Sequence, residues 1–147
     1  MKVFIGADHR GFELKSKLIA WLGSYDYQVE DCGAFQYEQT DDYPDFAKIV
    51  SEKVVAEKGS RGIVICGGGS GVVMAANKIK GVRCTLGFKN DQIKAGRIDD
   101  DVNILAIASD FTDEGSAQEI VRTFLETEFD PSEKHARRIG KLTALEN

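Results

Sequence analysis

Cys66 ends an apolar run, Gly62-Ile63-Val64-Ile65, and is followed by Gly67-Gly68-Gly69-Ser70-Gly71. A thiol so placed has two readings. At the end of a buried strand it is a small hydrophobe, a reading that also suits Cys84 and Cys32. Ahead of a glycine loop that opens a helix it is a base or nucleophile. Successive backbone N–H groups there make an anion-binding concavity, and a helix N-terminus stabilises negative charge, a thiolate included. The same donors could hold an oxyanion or an enediolate. A Cys-His hydrolase is another option, although no local signature of such a family surrounds Cys66. Asp8-His9 stands between Gly6 and Gly11. Asp8 suits a helix cap or a ligand contact, and His9 a surface position or a ligand contact. Gly6 and Gly11 give GxxxxG, but Phe12 stands where a phosphate-binding loop needs Lys, and GxGxxG is absent. Asp8 would also oppose a pyrophosphate, so a nucleotide site is not expected. The segment Arg97-Ile98-Asp99-Asp100-Asp101 reads as a solvated acidic face, since three consecutive carboxylates cannot all converge on one metal ion. Lys134, Arg137, Arg138 and Lys141 share much of one helix face. They read either as a solvated surface or as a clamp for a phosphate dianion.

These residues need elements to hold them, and the apolar pattern supplies the elements. Short apolar runs starting at Val3 and over 27–31, 62–66, 82–86 and 103–108 read as strands. Helical spacing is found over 12–22, from Tyr43-Pro44 to Gly59, from the glycine loop through Lys78, over 91–98 and over 113–128. A basic helix from about Ser132 ends the chain. Residues 62–66 show no polar alternation, as expected of a parallel strand covered on both faces. Five strands, each followed by a helix, imply an α/β fold of three layers around a five-stranded parallel sheet. Ligands in such sheets bind beyond the carboxyl ends of the strands. Asp8-His9, Cys66 with its loop, the turn at 97–101 and Ser109-Asp110 are all expected there.

Composition narrows the class further. The chain has 147 residues, 42% of them apolar and 29% charged, which suits one globular domain spanning 1–147. Its 24 acids against 19 Lys and Arg, a net charge of −5, argue against a duplex nucleic-acid binder. No apolar run approaches the roughly 20 residues of a membrane span. Three cysteines at distant positions make neither a disulfide framework nor a zinc set, so a reduced, cytoplasmic protein is expected. The acid excess is unevenly spread: residues 110–130 hold seven acids and one Arg, whereas 134–141 hold four cations and no acid.

In this order and spacing, several strings resemble the type B ribose-5-phosphate isomerases and the related galactose-6-phosphate isomerase subunits. They are Ile5-Gly-Ala-Asp-His-Arg-Gly-Phe-Glu-Leu-Lys15, Asp42-Tyr-Pro-Asp45, Gly62-Ile-Val-Ile-Cys-Gly67, Ala75-Ala-Asn-Lys78, Gly81-Val-Arg83 and Asn103-Ile-Leu105, with the tail around His135 and Arg138. The resemblance implies a Rossmann-like sheet and an isomerase of an open-chain sugar phosphate. It also implies a homodimer or dimer of dimers with composite sites, and no metal or organic cofactor. Under it Cys66 is the base that moves a proton between C1 and C2 through a cis-enediolate, and Gly67, Gly68, Gly69, Ser70 and Gly71 form the enediolate loop. Asp8 contacts a sugar hydroxyl, His9 the phosphate side, and Tyr43 walls the sugar pocket. Asn77 and Lys78 support the loop and pocket. Lys134 and Arg138 reach the phosphate across the dimer interface.

The same resemblance marks departures. Asp99 stands where a ring-opening His is usual and Asp100 where Asn is usual; both are expected at the site, Asp99 as a substitute for the His. A carboxylate takes a hydroxyl proton but donates one poorly at neutral pH, so unless burial changes this, ring opening passes to another group or to solution. Gly68 replaces a usual Thr, Lys134 a usual Arg, and Asp110 a common phosphate-contacting Arg. Val72 sets the chain apart from members with a Glu base there. The expected activity is aldose–ketose isomerisation of the ribose 5-phosphate/ribulose 5-phosphate type. The alternative is a non-catalytic sugar-phosphate-binding protein, or a galactose-6-phosphate isomerase-like subunit that needs a partner chain.

Overall fold

The computed structural model describes residues 1–146. Its elements run β1 (Lys2–Ala7), α1 (Phe12–Leu22), β2 (Gln28–Asp31), α2 (Tyr43–Ala56), β3 (Arg61–Cys66), α3 (Ser70–Asn77), β4 (Cys84–Leu86), α4 (Asn90–Asp100), β5 (Ile104–Ala108), α5 (Glu114–Glu126) and α6 (Glu133–Ala144). The five strands are parallel in the order β2-β1-β3-β5-β4, bearing out the expected α/β sheet. Between β1 and β3 the chain reverses its direction of travel across the sheet, which opens a crevice at their carboxyl ends.

The period-2 alternation of each strand divides the core in two. Val3, Ile5, Ile63, Ile65, Leu105 and Ile107 face α1, α4 and α5, where Leu18, Ile93, Val121 and Phe124 are buried. Phe4, Val64, Cys66, Ile104 and Ala106 face α2 and α3, against Val50, Val72 and Ala76. Cys66 therefore points toward the α2–α3 side. Close helix packing explains two glycines there: a Cβ on Gly6 would lie 2.9 Å from Val50 and one on Gly62 2.7 Å from the same side chain.

Buried arginines finish the opposite edge. Arg61, at the start of β3, donates to the carbonyls of Phe124 and Leu125 and so closes the carboxyl end of α5. Burial pulls its guanidinium down to about 10, which leaves it charged at neutral pH. Arg97 on α4 donates to Thr127 and Val102 carbonyls and pairs with Asp101 at 2.8 Å. That pairing carries α4 on to Asp100, two residues beyond the expected end, and Asp101 terminates it with φ +46°.

Candidate functional site

Three turns meet at the crevice. Asp8 follows β1, and its Oδ1 accepts the N–H groups of Arg10 at 3.0 Å and Gly11 at 3.1 Å. These bonds close the turn ahead of α1, whose N-cap position is Gly11, so Asp8 shapes the turn and does not cap the helix. Asp8 is buried. His9 is held by Asp41, whose Oδ1 takes the His9 backbone N–H at 2.9 Å and lies 2.7 Å from Nδ1. The imidazole is thereby fixed with its other nitrogen free to face a ligand. Tyr37 meets the ring edge-on, with centroids 6.1 Å apart.

Cys66 sits at the end of β3, 6% exposed, opposite Ala108 of β5. Its Sγ accepts the Gly69 N–H at 3.2 Å, so the glycine loop folds back over the sulfur. Gly69 makes that turn possible. Its φ is +79°, and a Cβ would lie 2.5 Å from Leu86 and 3.1 Å from Ala108. Gly68 is exposed, with open space around it. Ser70 and Gly71 then begin α3, and the first turn of a helix leaves its N–H groups without intrahelical acceptors. The Tyr43 ring lies on Gly71: a Cβ there would come within 2.6 Å of Cζ. One face thus gathers Cys66, the loop Gly67, Gly68, Gly69, Ser70 and Gly71, and Tyr43. Asp8 and His9 flank it from β1.

The end of β5 joins these turns. Ser109 donates its backbone N–H to the Cys66 carbonyl at 2.9 Å and its hydroxyl to the Arg10 carbonyl at 2.8 Å. The Asp110 N–H donates to Gly67 at 3.0 Å, and its carboxylate pairs with the Arg10 guanidinium. Sequence reasoning missed Arg10 and Asp41. Arg10 belongs to the same short turn as Asp8-His9, which was the available signal. Asp41 lies in a polar stretch, and nothing local marks it as the partner of a residue 32 positions away.

The expectation for residues 97–101 needs correction. They form the last turn of α4 and its cap, at the amino-terminal edge of the sheet, because a helix returns the chain to the end where the next parallel strand begins. Asp99 and Asp100 are therefore in the last turn of α4, across the sheet from Cys66, rather than beside it. Asp99 faces His135 of α6, with Oδ1 3.4 Å from Nε2. His135 is buried, and its Nδ1 lies 2.8 Å from the Asp130 carbonyl. Lys134 and Arg138 are exposed on the same helix. The largest cavity described is also at that edge, about 730 Å³ among Asn77, Lys78, Arg83, Asp100 and Leu142. Asn77 there pairs with both the N–H and the carbonyl of Cys84 and pins β4 to α3.

Asp8, His9 and Asp41 are the one metal-capable group among the described residues, with a ligand atom from each within 4.8 Å of the others. The bonded oxygens of Asp8 and Asp41 are occupied by N–H donors, and only the Asp41 Oδ2 is buried without a partner. Those bonds tie Asp8 to the turn and the His9 ring to Asp41. The other thiols differ from Cys66 in setting: burial, with the Glu30 charge behind it, pushes Cys32 up to about 11, and burial pushes Cys84 up to about 12.

Residues 3–142 match the family model described as Ribose/Galactose Isomerase. A ribose-5-phosphate isomerase B of Mycolicibacterium paratuberculosis is 38% identical over 99% of this chain and 92% of its own. The solved structure of the Clostridium thermocellum ribose-5-phosphate isomerase B superposes with a TM-score of 0.94 at 38% identity, covering 99% of this chain and 97% of that one. The Mycoplasma genitalium enzyme, solved with bound ribulose 5-phosphate, gives 0.93 at 37% identity over 99% and 95% of the two chains.

Proposed function

The chain belongs to the ribose/galactose isomerase family, and we propose that it interconverts ribose 5-phosphate and ribulose 5-phosphate with Cys66 as the base. It is an aldose–ketose isomerase of sugar phosphates. The observation that carries the finer reading is the position of Cys66: buried at the carboxyl end of β3 beside the crevice, with the glycine loop turned over its sulfur.

In the forward direction the Cys66 thiolate removes the C2 proton of the open-chain aldose, and the electron pair moves onto the C1 carbonyl oxygen. The resulting cis-enediolate lies over the N–H groups that open α3, which stabilise its negative oxygen. The thiol then returns the proton to C1 while the C2 hydroxyl proton passes to the C1 oxygen and C2–O becomes the carbonyl, leaving the ketose and the thiolate. Tyr43 and Asp8 border the sugar and His9 the phosphate end. Three free thiols suit a reducing, cytoplasmic setting.

Asp99, Asp100, Lys134 and Arg138 complete the site in this reading only from a second copy. Their place at the opposite sheet edge supports a homodimer in which each crevice receives α4 and α6 residues of the partner. Asp99, in line with His135, then stands for the ring-opening group. Isomerisation of pentose, tetrose and hexose phosphates by the unaltered protein and by Cys66→Ala tests the proposal. A loss of about 10²–10⁴-fold on one substrate pair is expected, and undiminished turnover in the variant overturns the role of Cys66. The acidic residues at 99 and 110 favour one second reading, a binding or heteromeric subunit. Ligand binding without turnover by the chain alone, and activity only with a related chain, would establish it.

A further inference from the structure

The crevice is rich in carboxylates, with Asp8, Asp41 and Asp110 at the ends of its turns. A substrate bearing a phosphate dianion meets repulsion there unless a cation answers it. Arg10 is placed to do so. Its backbone is pinned from both sides, by Asp8 accepting its N–H and by the Ser109 hydroxyl donating to its carbonyl. Its side chain lies across the first glycine after Cys66: a Cβ on Gly67 would fall 2.1 Å from the guanidinium carbon and 2.2 Å from Nε. The guanidinium therefore rests on the peptide that joins the base to its loop, in the space a side chain at 67 would take. It pairs with Asp110, yet the two side chains are 53% and 39% exposed.

We propose that Arg10 binds the phosphate of the substrate and determines the preference for phosphorylated sugars, with Asp110 as its resting counter-ion. An exposed ion pair in water is weak. A planar guanidinium presents two parallel N–H groups to phosphate oxygens, a stronger charge-assisted contact. On binding, Arg10 turns its fork from Asp110 to the phosphate without moving its backbone. This assignment rests on the sugar-phosphate reading above and adds the residue that recognises the charged end.

Calorimetric titration with inorganic phosphate tests it without turnover. Arg10→Ala is expected to weaken phosphate binding about tenfold or more. Arg10→Lys should recover part of the loss, and Asp110→Asn should bind more tightly than the unaltered protein. In turnover, Arg10→Ala raises KM for ribulose 5-phosphate by a similar factor and leaves kcat within about threefold. The melting temperature of the free protein stays unchanged, since the side chain is half exposed. Unaltered phosphate affinity in Arg10→Ala overturns the proposal, as does an absence of phosphate binding by the unaltered protein. Failure of the chain to isomerise any pentose phosphate while Arg10→Ala still loses phosphate overturns the substrate reading and leaves this one standing.

Discussion

At the scale of single residues, three cysteines of one chain occupy three different environments. Cys32 and Cys84 are pushed to about 11 and about 12, chiefly by burial, so at neutral pH both are thiols packed as small hydrophobes. Cys66 is also buried, but it lies beside an N–H group and the amino terminus of a helix. A difference in reactivity follows. Iodoacetamide at pH 8 is expected to leave Cys32 and Cys84 unmodified in the folded protein, and alkylation of Cys66 should abolish turnover. Peptide mass spectrometry alongside activity reads both. The Cys32→Ser, Cys84→Ser double variant should keep its activity and still be inactivated by the reagent. Inactivation that tracks modification of Cys32 or Cys84 would contradict this assignment. In the sequence, the glycine run after Cys66 was the mark that separated it from the other two. The His9–Asp41 and Arg10–Asp110 pairs had no such mark, because their partners are 32 and 100 positions apart and only the folded sheet joins them.

At the scale of elements, the strand-end turns hold the chemistry and can be tested one glycine at a time. Gly69 combines φ +79° with contacts to Leu86 and Ala108, so Gly69→Ala should cost about 1–3 kcal/mol of stability. Gly68 faces open space, so Gly68→Thr should change stability by less than about 0.5 kcal/mol while placing a hydroxyl beside the loop. Urea unfolding of the two variants distinguishes them, and equal destabilisation would refute the loop geometry. Helix α5 offers a pH test. Asp113 caps it by accepting the Ser116 N–H at 2.8 Å, and that bond holds its carboxyl below the ordinary 3.8. A carboxyl lowered in the folded state stabilises it above the unfolded value, and the contribution is lost as pH falls through the folded value. Asp113→Ala should therefore melt lower than the unaltered protein at pH 7 and alongside it near pH 2. A constant difference across that range would exclude the cap as its source. The strand and helix order was legible because the runs at 62–66 and 103–108 are unbroken and the helices carry apolar stripes. The end of α4 was not, because Asp99 and Asp100 resemble a turn and their helical state depends on Arg97 pairing with Asp101.

At the scale of the whole molecule, the parallel sheet separates two sets of residues that one reaction would need. Cys66, its loop, Tyr43, Asp8 and His9 occupy the carboxyl edge. Asp99, Asp100 and α6 with Lys134 and Arg138 occupy the amino edge. A sequence lists both sets without saying which edge each occupies; the rule that a crossover helix brings the chain back to the amino edge supplies that, and it places residues 97–101 away from Cys66. If the two sets act together, each site of a twofold dimer is built from both copies. Complementation follows from that geometry. Cys66→Ala and Arg138→Ala homodimers should each be strongly impaired. When equal amounts are unfolded together and refolded, about half of the dimers are mixed. In each mixed dimer one crevice takes Cys66 from one copy and Arg138 from the other, while the second crevice lacks both. Turnover should therefore return to about a quarter of the unaltered value. A site confined to one copy predicts no recovery, since no chain in the mixture would carry both residues.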